Sequence, residues 1–153
     1  MAACTAWVLA LSLVACGGGG GDDGGGMARN DTVDEVEPND AFEMPQDLGT
    51  MRPGDVVAVR ATSANDTFGI DWYGFKLTSD ARLRVEVTHG ASIDIDVSVF
   101  RVSPISGLPS LSISCSQPTS PEVCEIDLIA GEFLVTAGSS LQRGQYRLEI
   151  EEL

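Results

Sequence analysis

A chain of 153 residues with 43% hydrophobic content has room for one globular domain and short appendages. Its 23 acidic against 9 basic side chains give a formal charge of −14, which argues against a nucleic-acid binder, since a phosphate backbone requires clustered Lys and Arg. No basic amphipathic stretch is present to lie on an anionic membrane, and one histidine without a Cys-x-x-Cys pair argues against the usual zinc sites.

Residues 1–16 are apolar and carry no charged side chain. At 16 residues the run is shorter than the roughly 20 needed for a membrane-spanning helix, but it has the size of a secretory core followed by small residues. Leu13-Val14-Ala15-Cys16, followed by Gly17, resembles the lipobox of bacterial lipoproteins. The resemblance implies cleavage after residue 15 and lipidation of Cys16. The opening residues lack the Lys or Arg usual in such signals, and a buried helix or an uncleaved anchor is the alternative reading. Residues 16–32 then read as a lipidated cysteine and a glycine-rich tether. A segment of that composition buries too little apolar area to offset its ordering entropy.

At the end of the tether, Glu35-Val36-Glu37-Pro38-Asn39-Asp40 places three carboxylates and one carboxamide within six residues. Oxygen ligands at this density suit a hard cation such as Ca²⁺ when other segments supply further oxygens. An acidic linker, with Asn39-Asp40 forming an Asx turn, reads equally well.

Beyond this stretch the apolar residues recur with a period of two. Residues 55–60 form a predicted strand behind the Pro53-Gly54 turn signal. Further alternating sets are Tyr73, Phe75, Leu77; Leu83, Val85, Val87; Ile93, Ile95, Val97, Val99; Leu111, Ile113, Cys115; Cys124, Ile126, Leu128; Phe133, Val135, Ala137; and Tyr146, Leu148, Ile150. Short alternating strands separated by Gly, Ser, Pro and Asp clusters predict an all-β domain over residues 33–153, an antiparallel jelly-roll-like sandwich of about eight strands. Cys115 and Cys124 share the inward parity of successive strands across a loop, so an exported protein is expected to join them in a disulfide; two buried thiols are the alternative.

Four motifs occur in order: Glu35-Val36-Glu37-Pro38-Asn39-Asp40, Asp71-Trp72-Tyr73-Gly74-Phe75, Ala130-Gly131-Glu132-Phe133-Leu134-Val135, and Gly144-Gln145-Tyr146-Arg147-Leu148. Together they resemble the bacterial pre-peptidase C-terminal domain, a β-sandwich often appended to secreted proteases. The resemblance spans about residues 34–152. It implies a module without catalytic activity, with Ca²⁺ held in some members by the acidic segment and an aspartate ahead of the aromatic strand. Transferred to this chain, the ligand candidates are Glu35, Glu37, Asn39, Asp40 and Asp71, with Asp66 in the preceding loop as a further one. That loop carries fewer acidic residues than strongly calcium-dependent members have.

Other chemistry is thinly supported. His89 lies at a turn with no Gly-x-Ser-x-Gly elbow to supply a nucleophile. Asp94 and Asp96 share the solvated side of an alternating strand. With Tyr73 inward, Trp72 points outward, either toward a ligand or beneath the N-terminal segment. The expectation is a non-enzymatic protein of the bacterial cell envelope, lipid-anchored at the outer membrane. It would present a binding or accessory sandwich to an extracellular or periplasmic protein or polysaccharide. The alternative role is a structural spacer packing on an envelope partner.

Overall fold

The computed structural model describes residues 28–63, 69–117, 119–139 and 143–153. The signal segment, Cys16, the glycine run and Asp66 lie outside the described residues. Ten strands follow one another: β1 (Asn30–Asp34), β2 (Gln46–Met51), β3 (Val56–Ser63), β4 (Gly69–Leu77), β5 (Ala81–His89), β6 (Asp96–Val102), β7 (Pro109–Cys115), β8 (Glu122–Leu128), β9 (Gly131–Ser139) and β10 (Gly144–Glu152). They form two five-stranded sheets, in the orders β1-β3-β10-β5-β8 and β2-β4-β9-β6-β7.

The alternation read from sequence is the alternation that packs. Tyr73, Leu83, Val85, Val87, Ile95, Val97, Val99, Val135, Leu148 and Ile150 have no measurable exposure and fill the space between the sheets. Phe75 and Phe133 are opposite each other in the β4–β9 register and stack with ring centroids 5.6 Å apart. Strands β3 to β10 are the eight expected ones, and all pairings among them are antiparallel. One boundary differs: Ile93 and Ile95 are buried but precede β6, which begins at Asp96.

β1 and β2 are additions, and both are parallel edge strands, on β3 and β4 respectively. The sheet starts at Asn30 rather than Val33, with the Arg29 N–H held by Asp55 Oδ1 at 2.6 Å. β1 buries little besides Val33, so it leaves no period-two signature. β2 is irregular for a different reason: its register with β4 shifts between Asp47 and Thr50.

The additions close one flank of the sandwich, and the chain crosses there from the first sheet to the second through residues 35–45. At the other flank β8 and β7 are the outer strands, joined by a disulfide between Cys115 and Cys124 with Cα atoms 6.0 Å apart. The bond therefore ties one sheet edge to the other. Closing a loop of this size, with a sequence separation of 9, stabilises the fold by about 2.7 kcal/mol in the chain-entropy estimate. The Cys115→Ala/Cys124→Ala double variant should unfold at a lower urea midpoint with ΔG reduced by about 2–3 kcal/mol; a midpoint equal to wild type would count against an inter-sheet staple.

Candidate metal centre

The crossing segment meets the second sheet at the start of β4. Asp71 has the parity of Tyr73, Phe75 and Leu77, so the strand turns a carboxylate into the interior, where Asp71 is fully enclosed. Gly138 opposite Ile70 permits the close β4–β9 approach, because a Cβ there would lie 2.6 Å from the Gly69 carbonyl oxygen. Tyr146 reaches the same place from β10 of the first sheet.

β1 runs into the segment in register. The Glu35 N–H donates to the Arg60 carbonyl at 3.0 Å, and Glu35 Oε2 accepts from the Thr62 N–H at 3.0 Å. The Asn39 N–H donates to Glu37 Oε2 at 2.9 Å, and the Asn39 carbonyl accepts from the Trp72 N–H at 2.9 Å. Glu37-Pro38 is a cis peptide. Gln46 closes the segment: its Oε1 accepts from the Val36 N–H at 3.0 Å and its Nε2 donates to the Asp34 carbonyl at 3.1 Å.

These contacts bring Glu35, Glu37 and Asp71 together, with one carboxylate oxygen from each lying within 4.8 Å of the others. Opposed ligands of one calcium ion stand about 4.6–5.2 Å apart, twice a Ca–O distance. The spacing suits such an ion. Asn39 is fully buried, and neither its Oδ1 nor its Nδ2 has a hydrogen-bond partner; Asp71 Oδ1 has none either. A buried polar atom left unpaired destabilises a fold by about 1–3 kcal/mol. Of these atoms the Asn39 Oδ1 and Asp71 Oδ1 oxygens have the chemistry of cation ligands, whereas the Asn39 Nδ2 is a donor. Asp40 is exposed and is not one of the three mutually close groups, although its charge acts on Asp71.

Two residues without a role in the sequence reading complete the arrangement. The Tyr73 hydroxyl lies 2.9 Å from Glu35 Oε1 and 2.7 Å from the Tyr146 hydroxyl, and the Tyr146 hydroxyl contacts Asp71 Oδ2. The Tyr146 hydroxyl donates to Asp71 Oδ2 and the Tyr73 hydroxyl to Glu35 Oε1, so each phenol serves one carboxylate and the two hydroxyls meet between the sheets. Burial raises the Asp71 carboxyl to about 7, opposed by the Tyr146 hydrogen bond and reinforced by the charges of Glu35, Glu37 and Asp40. Burial also raises both phenols, so neither ionises near neutrality. The signal for these tyrosines was their parity, since Asp71 and Tyr73 share the inward face of one strand and Tyr146 that of another.

The remaining candidates stand apart. Cys115 and Cys124 are at the opposite flank. The His89 Nδ1 lies 3.0 Å from the Gly90 carbonyl, and Asp94 and Asp96 are exposed. Trp72 is half-buried between Phe42, at 6.1 Å, and Phe100, at 5.3 Å, so the crossing segment partly covers it. Glu122 is fully buried with Oε1 accepting from the Gln117 N–H at 2.8 Å, and burial lifts its carboxyl to about 7. Its β8 position shares the parity of Cys124, which could have marked it as inward.

Fold and site together define a two-sheet β-sandwich with an acidic clasp that is enclosed at Asp71 and open at Glu37. Among solved structures, the chain is similar to the pre-peptidase C-terminal domain of a collagenase from Bacillus anthracis, at a TM-score of 0.57 and 11% identity, covering 76% of this chain and 99% of that one. At that identity the likeness establishes the fold, a pre-peptidase-like sandwich. A periplasmic inhibitor of g-type lysozyme from Aeromonas hydrophila is also similar, at a TM-score of 0.41 and 12% identity, covering 83% of this chain and 100% of that one. No protein-family model and no curated protein matches the sequence.

The sign of the pH dependence follows from Asp71. Its folded value lies above the ordinary 3.8, so in metal-free protein its stabilising contribution is complete below about pH 3.8 and is lost as pH rises through about 7. The unfolding midpoint in chelator should fall from pH 5 to pH 8, and Asp71→Asn should flatten that decline. A residual slope of the same sign belongs to Glu122, raised from 4.5 to about 7. A wild-type slope in Asp71→Asn would remove Asp71 from the account.

Proposed function

We propose that this chain is a lipid-anchored bacterial envelope protein that presents a non-catalytic, pre-peptidase-like sandwich as a binding or accessory module, with Ca²⁺ locking its N-terminal segment. The observation that carries the reading is the grouping of Glu35, Glu37 and Asp71 within 4.8 Å, with Asn39, whose carboxamide is buried and unpaired, bonding Glu37 through its main-chain N–H. These four residues would hold the ion, with Glu35 and Glu37 from the crossing segment and Asp71 from β4. The ion would supply charge neutralisation rather than reaction chemistry. The anchor rests on the lipobox-like Leu13-Val14-Ala15-Cys16 and the glycine run behind it. The non-catalytic reading rests on a sequence without a nucleophile elbow or a paired base.

Binding to the folded state alone stabilises by about 2.7 kcal/mol at a free ligand concentration 100 times Kd. For a domain of this size that raises the thermal midpoint by roughly 10 °C. Calcium should therefore lift the midpoint relative to chelator, and Glu37→Gln should abolish most of the rise. Equal midpoints with calcium and chelator would eliminate the metal.

The anchor has its own test. Cys16→Ser should abolish incorporation of labelled fatty acid and release the protein from the membrane fraction. Continued membrane association would contradict lipidation at Cys16.

One observation favours the alternative role of packing on an envelope partner. Residues 97–121 contain no acidic side chain, and the β6–β7 hairpin within them exposes Ile105, Leu108 and Leu111. In so acidic a chain this is a neutral face on which a protein could seat without repulsion.

A further inference from the structure

At the end of β4 remote from Asp71, a cavity of about 590 Å³ opens at the mouth of the sandwich, with Lys76, Thr78, Arg101, Pro104 and Gly131 among its walls. Five residues of extended strand separate Asp71 from Lys76, about 17 Å. Lys76 is the only lysine in the chain. Five arginines, Arg29, Arg60, Arg82, Arg84 and Arg147, pair with carboxylates. Lys76 and Arg101 make no such pair among the described residues, although Glu132 stands directly opposite Lys76 and lines the same cavity.

Arg101 occupies an unusual position. It is opposite Phe133 in the β6–β9 register and so has the inward parity of Val99 and Val97. Its guanidinium lies over Gly131, where a Cβ would stand 3.7 Å from Nε and 3.8 Å from Nη2. The Nε is enclosed and donates to nothing. A guanidinium cannot shed its charge, so it needs water or an anion to balance it. The planar fork of donors matches a carboxylate, and a second cation lines the cavity.

The rest of the molecule narrows the ligand. A long polyanion would meet the surface of a chain of net charge −14, and a dianionic phosphate would be repelled by Glu132 more than a single negative charge is. The cavity exceeds what a bare ion needs, and Leu77, Val102 and Pro104 give it apolar wall. From this geometry we infer that Lys76 and Arg101 form a binding site for the carboxylate of a small organic monocarboxylic acid whose uncharged body rests on that apolar wall.

Titration of the full chain with butyrate and, separately, with the isosteric but uncharged butyramide, at constant ionic strength and followed by ¹⁵N–¹H spectra, tests this. Butyrate should give saturable shifts of the Arg101 Nε–H and of the Thr78 and Gly131 amides, with butyramide giving none. Arg101→Gln and Lys76→Gln should each weaken binding about tenfold or more. Because Lys76 is exposed, its variant keeps the fold even where Arg101→Gln does not. No saturable shift with butyrate, equal shifts with butyramide, or wild-type affinity in Lys76→Gln would each overturn the assignment.

Discussion

The arrangement depends on a carboxylate placed where hydrophobic side chains belong. Asp71 follows the inward parity of its strand, and everything near it answers the cost of enclosing a charge. Tyr146 comes from the other sheet to supply one hydrogen bond, and Tyr73 relays that contact to Glu35. Two further carboxylates within reach raise the cost. In the metal-free protein a proton on the raised Asp71 carboxyl relieves that cost, and a cation at the proposed site would relieve it by neutralising the charge.

This local problem is also a fold-level device. Glu35 belongs to the strand extension on the first sheet, Asp71 to the second, and Tyr146 to the first again. The clasp therefore holds the two sheets together at the flank where the chain crosses between them. At the other flank no comparable polar network is needed, because the Cys115–Cys124 bond ties β7 to β8 covalently. The hydrophobic core between the flanks is continuous, but apolar burial is non-directional and would tolerate some sliding of one sheet over the other. Directional tethers at both edges fix the registration.

How much of this was legible in the sequence depended on burial. The eight strands that line the core show period-two alternation because each has one dry face, and the cysteine parity followed from the same alternation. β1 and β2 carry no periodic signature because an edge strand with at most two buried side chains leaves none. Glu35, Glu37, Asn39 and Asp71 stood out as candidate oxygen ligands by residue type and by resemblance. Their convergence was not, since it rests on pairing between β1 and β3 and on a main-chain bond from Trp72 to Asn39. The exposure of Asp40 depends on those same contacts. Tyr73 and Tyr146 read as core because aromatic residues at inward positions normally are; their hydroxyls acquired a second role only when the sheets were stacked.

The charge distribution carries this one step further. With so few cations in the chain, pairing Arg29, Arg60, Arg82, Arg84 and Arg147 with carboxylates uses most of them on the strand surfaces. Three carboxylates meet in the clasp at one end of β4, and two cations with no carboxylate partner among the described residues stand at the other. Neither grouping is explained by solubility, for which dispersed acidic residues suffice. Nor does core packing account for Asp71, since an apolar side chain would fill its place at lower cost. A charge kept where packing would favour its removal points to a ligand, and the two ends of this strand hold opposite charges in separate, partly desolvated places. If both groupings hold ligands as proposed, a cation site and an anion site stand one strand length apart, and the pairing of β4 with β9 keeps them so.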